Sequence, residues 1–187
     1  MAKKRDEQVS SSRARAAILR SFGALIQVNR YDRITVKHIV ERARVARSTF
    51  YANFLNKDEV LLEGLAEPFR ALARTVAANC EAPELREVLQ HFWDNRRIAN
   101  PLLSGPMRRP ATQLLAGLIE EELRACFGSD GLRLPVPLVA KSIAGGQLTL
   151  IHAWLSGEAP SSATELAPAL AALGHNAGLS VAAKRKA

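Results

Sequence analysis

The run Arg47-Ser48-Thr49-Phe50-Tyr51-Ala52-Asn53-Phe54 holds the side chains best suited to meeting a partner. Phe50 and Phe54 are four residues apart and share one face of a helix, while Ser48 and Ala52 fall on the opposite side. Thr49 and Tyr51 flank that outer side and Arg47 stands at its N-terminal end. An apolar inner face with a hydroxyl-rich, arginine-tipped outer face suits either an ordinary surface helix or the presented helix of a helix-turn-helix. Arg47 has the fork needed to pair with a guanine edge, and Ala52 is small enough to pack on a thymine methyl.

Something must position that helix. Thr35 is a natural N-cap for a preceding helix carrying Val36, Ile39, Val40 and Ala43, and Arg44-Val45-Ala46 forms the turn between the two. A first helix from about Ser12 to Val28 supplies Ile18, Phe22, Leu25 and Ile26 at three- and four-residue spacing. Behind the presented helix, Asn56-Lys57-Asp58-Glu59 reads as a capping box, with Asn56 at the N-cap and Glu59 at the third helical position. The fourth helix then continues through Leu61, Leu62, Leu65, Phe69 and Leu72 to about Asn79.

Three segments, ITVKHIVERA, RSTFYANF and NKDEVLLEGL, resemble the motifs of the DNA-binding domain of TetR-like (tetracycline-repressor-like) transcription regulators. The resemblance spans about Arg15 to Leu65. It implies DNA contacts through Arg47, Ser48, Thr49, Tyr51 and Asn53, with Tyr51 and Lys57 reaching phosphates. Thr35 and the amides beside it could hold a further phosphate. Two positions depart from the family pattern: Arg30 and Arg44 stand where glycines are common. A positive φ at Arg44 would cost about 1 kcal/mol relative to glycine. Ala46, where a capping serine is common, forgoes about 1 kcal/mol more.

Charge supports a polyanion-binding head. Of the net +8, residues 1–60 contribute +7, from thirteen Lys and Arg against six Asp and Glu. A basic head on a near-neutral body suits a nucleic-acid module joined to a part with another task. A chain of 187 residues, 48% hydrophobic and 24% charged, can bury a good core. Long helix-compatible runs without β alternation indicate an all-α fold: a three-helix helix-turn-helix domain and a C-terminal helical effector-binding and dimerisation domain. The expected division is a flexible basic arm at 1–11, the DNA-binding domain at 12–62, the helical body at 63–175 and a flexible tail at 176–187.

In the body, breaks are expected at Cys80–Pro83, Asn100–Pro101, Ser104–Pro106, Gly128–Pro137 and Ser156–Ser162. They leave helices at Glu84–Ile98, Met107–Phe127, Pro137–Leu155 and Thr164–Leu173. An effector pocket would draw on Phe92, Trp93, Leu103, Met107, Leu115, Leu118 and His152, residues that serve equally as packed core. GGQLTLIHAWLSGE with the helix after it is similar to the C-terminal pair of many TetR-like regulators, where two helices from each subunit make a four-helix bundle. That resemblance, with the small-residue strip beneath it, puts Ala144, Gly145, Leu148, Ile151 and Leu155 at a dimer interface.

Other classes fit poorly. Four scattered histidines show no metal-ligand spacing, Cys80 and Cys126 make no disulfide framework, and Gly145-Gly146 lies mid-helix rather than in a phosphate-cradling loop. No catalytic residue, metal or cofactor is expected. The N-terminus lacks the apolar stretch of a secretory signal, and Lys141, Gln147 and His152 interrupt the longest apolar run. The expected protein is a cytoplasmic homodimer without membrane attachment. It would bind a palindromic double-stranded DNA operator as a regulator, a repressor by family habit, and leave it on binding a small effector. The alternatives are a regulator answering to a protein partner and a non-specific architectural DNA binder.

Overall fold

The computed structural model describes residues 2–77, 82–128 and 131–182, with side chains described from Ser11 onward within them except at Ala82. Nine α-helices occur among the described residues: α1 Ala2–Ile26, α2 Val36–Ala43, α3 Arg47–Asn53, α4 Lys57–Ala73, α5 Ala82–Asp94, α6 Arg96–Ser104, α7 Arg108–Phe127, α8 Val136–Leu155 and α9 Ala163–Ser180. No strand is formed among them. The chain divides into two compact units, Met1–Leu65 and Ala66–Ala187.

The first unit is built on a small aromatic core. Ile18, Phe22 and Ile26 of α1 meet Ile39 of α2, Phe50 of α3, and Ile34, Phe54 and Val60, all 8% exposed or less. Each such side chain contributes about 1.5–3 kcal/mol through burial. Pairing of α1 with α2, α1 with α3 and α2 with α3 closes the unit. Local signals set its corners. Thr35 caps α2, its hydroxyl accepting from the His38 amide at 3.3 Å, while His38 Nδ1 accepts in return from the Thr35 amide at 3.4 Å. Arg44 ends α2 in the left-handed conformation, φ 55°, ψ 43°, the one non-glycine residue at positive φ among the described residues. Ala46 begins α3 with no side-chain cap.

In the second unit α8 is buried along most of one side against α7, α5 packs on α9, and α6 bridges α7 and α8. A buried polar cluster ties the end of α4 into it. Thr75 Oγ1 donates to the Leu72 carbonyl at 2.7 Å, and Gln147 Nε2 donates to Thr75 Oγ1 at 2.7 Å and to the Leu72 carbonyl at 3.2 Å. Gly174 of α9 lies against that cluster, where an added Cβ would meet Thr75 Oγ1 at 2.3 Å.

Several expected boundaries are corrected. The backbone of the expected arm is helical from Ala2, because nothing before Ser12 breaks a helix: neither proline nor glycine occurs there. Likewise α9 runs past Leu173 to Ser180, so residues 176–180 of the expected flexible tail are helical, and Arg133 N–H then bonds the Val181 carbonyl at 2.8 Å. Residues 183–187 lie outside the described residues. The break expected at Asn100–Pro101 falls instead at Asn95, which ends α5 and starts α6. Pro101 sits inside α6 and removes only one backbone bond from so short a helix. The expected reach of α4 to Asn79 is cut at Ala73, where a 3-10 turn, Arg74–Val76, follows. The Cys80–Pro83 break overlaps residues outside those described.

Candidate nucleic-acid interface

α3 buries Phe50 and Phe54 and presents Arg47, Ser48, Tyr51 and Ala52, all exposed, with Thr49 half-buried beside them. Arg47 and Tyr51 lie one helical turn apart and cooperate: the guanidinium donates to the Tyr51 hydroxyl at 3.3 Å and sits 5.6 Å from its ring centroid. The phenol thus keeps its own proton available to donate outward. Arg42, Arg44 and Arg47 are all exposed around the turn. Thr35 is exposed at the start of α2, though its hydroxyl already serves the helix cap.

Two of the expected DNA contacts are committed elsewhere. Asn53 turns inward: Nδ2 donates to the Thr49 carbonyl at 2.8 Å, and Oδ1 accepts from the Ser11 hydroxyl at 3.1 Å. Lys57 is half-buried, with Nζ donating to the carbonyls of Tyr31 and Ile34, each at 2.8 Å, and lying 4.3 Å above the Tyr31 ring. Its neighbour Asp58 accepts a hydrogen bond from the Tyr31 hydroxyl. Burial first, then the Asp58 carboxylate, pushes the Tyr31 phenol far above its ordinary range, so it stays protonated. One ammonium hydrogen of Lys57 remains for an outside acceptor.

One side chain beside α3 was not among those expected from the sequence. Arg15 stands three residues before Ile18, on the face of α1 that carries the buried stripe, and a cation on an apolar face calls for a fixed partner. That partner is Glu63 of α4, which pairs with both Nε and Nη2 of Arg15. The capping box at the head of α4 is also rearranged. Asn56 Oδ1 accepts from the Glu59 amide at 3.0 Å, but the Glu59 carboxylate takes the Leu55 amide rather than that of Asn56.

Residues 24–63 match the family model for bacterial regulatory proteins of the tetR family. The match lies within the first unit and takes in α2, the turn and α3. In that stretch the chain is similar to bacterial regulatory proteins of the family, and α2-turn-α3 has the form of a helix-turn-helix. Similar solved structures include a TetR transcriptional regulator from Streptococcus agalactiae, at 21% identity and TM-score 0.56, covering 93% of this chain and 99% of that one. Another is FadR of Thermus thermophilus, a TetR-family repressor in complex with lauroyl-CoA, at 20% identity and TM-score 0.54, covering 92% and 97%. RolR in complex with resorcinol is similar at 17% identity and TM-score 0.53, covering 96% and 95%. These likenesses carry the fold. No curated protein matches the chain.

In the body, the residues expected at an effector pocket lie on four helices that pack on one another: Phe92 and Trp93 on α5, Leu103 on α6 with Met107 just after it, Leu115 and Leu118 on α7, and His152 on α8. Phe92, Leu103, Met107 and Leu115 are buried, and Leu118 and His152 half-buried. Trp93 stacks on Trp154 with centroids 5.0 Å apart, and the Trp154 indole donates to the Ser161 carbonyl at 3.0 Å.

The expected dimer residues are corrected. Ala144, Leu148, Ile151 and Leu155 are 0–5% exposed within the single chain, so they fill its own core and leave nothing for a partner; Gly145 is half-buried. The free surface lies on the other side of α8, where a cleft of about 250 Å³ against α9 is lined by Ser142, Gly146, Leu150, Leu173 and Ala177, among others. Among the described residues, no helix is long and apolar enough to cross a membrane and no His, Cys, Asp and Glu group could hold a metal ion.

Proposed function

We propose that the protein is a sequence-specific transcriptional repressor that binds a palindromic operator as a homodimer and is released by a small-molecule effector. The observation that carries the reading is the presented face of α3. Arg47, Ser48, Tyr51 and Ala52 are exposed over a helix held down by two buried phenylalanines. Arg47 reads a guanine edge, Tyr51 and the free hydrogen of Lys57 meet phosphates, and Thr35 with its helix end meets another. Ser48 and Thr49 add hydroxyl contacts. Asn53 supports the helix instead of touching DNA.

Two heads a helical turn apart, roughly 34–36 Å, supply the surface that one short helix lacks. The outer faces of α8 and α9, with Leu138, Ser142 and Leu173 exposed, form the dimer contact in this reading. The effector sits among Phe92, Trp93, Leu103, Met107, Leu115, Leu118 and His152. Lauroyl-CoA and resorcinol, bound by proteins of similar fold, suggest a ligand with an apolar or aromatic part. It acts by preferring a position of α4 that suits DNA poorly, and only to the extent of that preference.

The test is binding to DNA upstream of the protein's own gene, at two salt concentrations and with a metabolite library. A regulator shows sequence preference at both salts, whereas a non-specific architectural binder shows a steep salt slope without preference. Tyr51→Phe should weaken binding to all sequences, and Arg47→Ala should relax discrimination at one position by about 1–3 kcal/mol. Unchanged affinity in both variants would mean that α3 is not the reading helix. If no compound shifts both DNA affinity and melting temperature, the effector half of the reading fails.

A further inference from the structure

The short helix α3 ends in a set of contacts that its own sequence cannot provide. In a seven-residue helix the last carbonyls have no partner in the helix and must find one elsewhere. The Phe50 carbonyl is taken by the Phe54 amide at 2.9 Å and the Thr49 carbonyl by the Asn53 side chain. The Asn53 carbonyl is taken by Arg15 Nη1 of α1 at 2.9 Å. The guanidinium lies 4.5 Å from the Phe54 ring centroid, which fixes its plane against the end of the helix. A cation at this place also faces the negative end of the helix dipole.

The other edge of the same guanidinium is held by Glu63, with Nε donating to Oε1 at 2.7 Å and Nη2 pairing with Oε2. A bidentate fork fixes direction as well as distance. Both partners are partly covered, with side-chain exposures of 41% and 27%. Glu63 belongs to α4, which continues into the second unit. The chain of contacts is therefore α4, Glu63, Arg15, the Asn53 carbonyl, α3. None of its members lies on the presented face of α3.

We propose that Arg15 is a positioning residue: with Glu63 it sets the pose of the recognition helix and passes any movement of α4 to the C-terminal end of α3. The proposal rests on the DNA-binding reading above. Ser11 and Asn53 complete the device, since the Ser11 hydroxyl bonds Asn53 Oδ1 and keeps that side chain on the inner side. Arg15 meets no DNA in this arrangement. It acts through α3, and its loss should be felt in discrimination rather than in charge-driven attraction.

The experiment compares the full-length protein with Arg15→Gln, Arg15→Lys and Glu63→Gln on promoter DNA and unrelated DNA, and follows amide exchange without DNA. Arg15→Gln and Glu63→Gln should each lower promoter affinity on the order of tenfold, and the double variant hardly further, as contacting pairs do. Affinity for unrelated DNA and the salt slope should stay as in the native chain. Arg15→Lys, which keeps the charge but not the fork, should fall between. Exchange at the Phe54 amide should quicken in Arg15→Gln. A salt slope reduced by about one would make Arg15 a phosphate contact and overturn the proposal. Equal losses on both DNAs would make it a residue of general stability and overturn it too. Unchanged exchange overturns it whatever the DNA result. A native chain without preference for any promoter sequence defeats the DNA reading itself, and the exchange result still decides whether Arg15 holds α3.

Discussion

Lys57 Nζ lies 2.8 Å from the carbonyl oxygen of Ile34, the residue before the N-cap of α2. The first residue of α4 thereby holds the entrance of the helix-turn-helix, as Glu63 through Arg15 holds its exit. Removing the charge while keeping the stem, in Lys57→Met, leaves two carbonyls to find new donors. The expected loss is about 1–3 kcal/mol of stability in the first unit. It should appear as a lower melting temperature without DNA present. A variant that melts like the native chain but binds DNA more weakly would assign Lys57 to phosphate contact alone.

The turn between α2 and α3 contains two residues at odds with their local geometry. Arg44 is at φ 55° and Ala46 caps nothing. Arg44→Gly relieves the left-handed strain, and Ala46→Ser offers an oxygen to the free amides of α3; each should stabilise by up to about 1 kcal/mol. Urea midpoints of the two variants should both rise, and additively. No rise in either would mean that the turn relaxes at no cost.

These details show which parts of the molecule were legible beforehand. The Thr35 cap, the Arg44 turn and the Phe50–Phe54 face were readable because their causes lie within four residues. The bonds of Asn53 were not legible, because Ser11, which bonds its side chain, and Arg15, which bonds its carbonyl, are 42 and 38 residues away. The small-residue strip of α8 was assigned to a partner because close packing was legible but its recipient was not; Ala144 is buried within the chain, on a helix that packs chiefly on α7. Gly174 follows the expected end of the last helix at Leu173 and Gly178 falls in the expected tail, yet both are contact points: one meets Thr75 and the other Phe127. A glycine required by a neighbour and a glycine that ends a helix are the same letter in a sequence.

Gly174 offers the sharpest packing test. A methyl group there would stand 2.3 Å from Thr75 Oγ1 and 2.8 Å from its Cβ, too close for either to stay. Gly174→Ala should therefore destabilise by about 1–3 kcal/mol despite its better helix propensity. Thr75→Ala, introduced alongside, removes the nearer obstacle, Oγ1, and leaves the Cβ contact to be relieved. The double variant should be more stable than the sum of the single effects implies. Strict additivity in denaturant unfolding would show that α9 shifts away freely.

The start of α9 adds a pH dependence. The Ser162 amide and hydroxyl donate to the Glu165 carboxylate at 2.8 and 2.9 Å, and they hold its carboxyl below the usual range. A lowered folded pKa stabilises the native state above the unfolded value, roughly 4.3. That contribution disappears as pH falls through the lower folded value. Glu165→Ala should thus be less stable than the native chain at neutral pH, with the gap narrowing in acid. A gap independent of pH would locate the effect in helix packing rather than in the cap.

Oligomeric state separates the two faces of α8. Leu173 on α9 is 56% exposed and lines the cleft against α8, whereas Ala144 is fully buried within the chain. In the proposed dimer, Leu173→Glu places a charge in an apolar contact and should shift the protein to monomer in sedimentation, with operator affinity falling in parallel. Ala144→Leu instead overfills the packing of α8 and should cost about 1–3 kcal/mol of stability while leaving the folded protein dimeric. The opposite pattern, a folded Ala144→Leu monomer and a dimeric Leu173→Glu protein, would return the interface to the strip that the chain buries here.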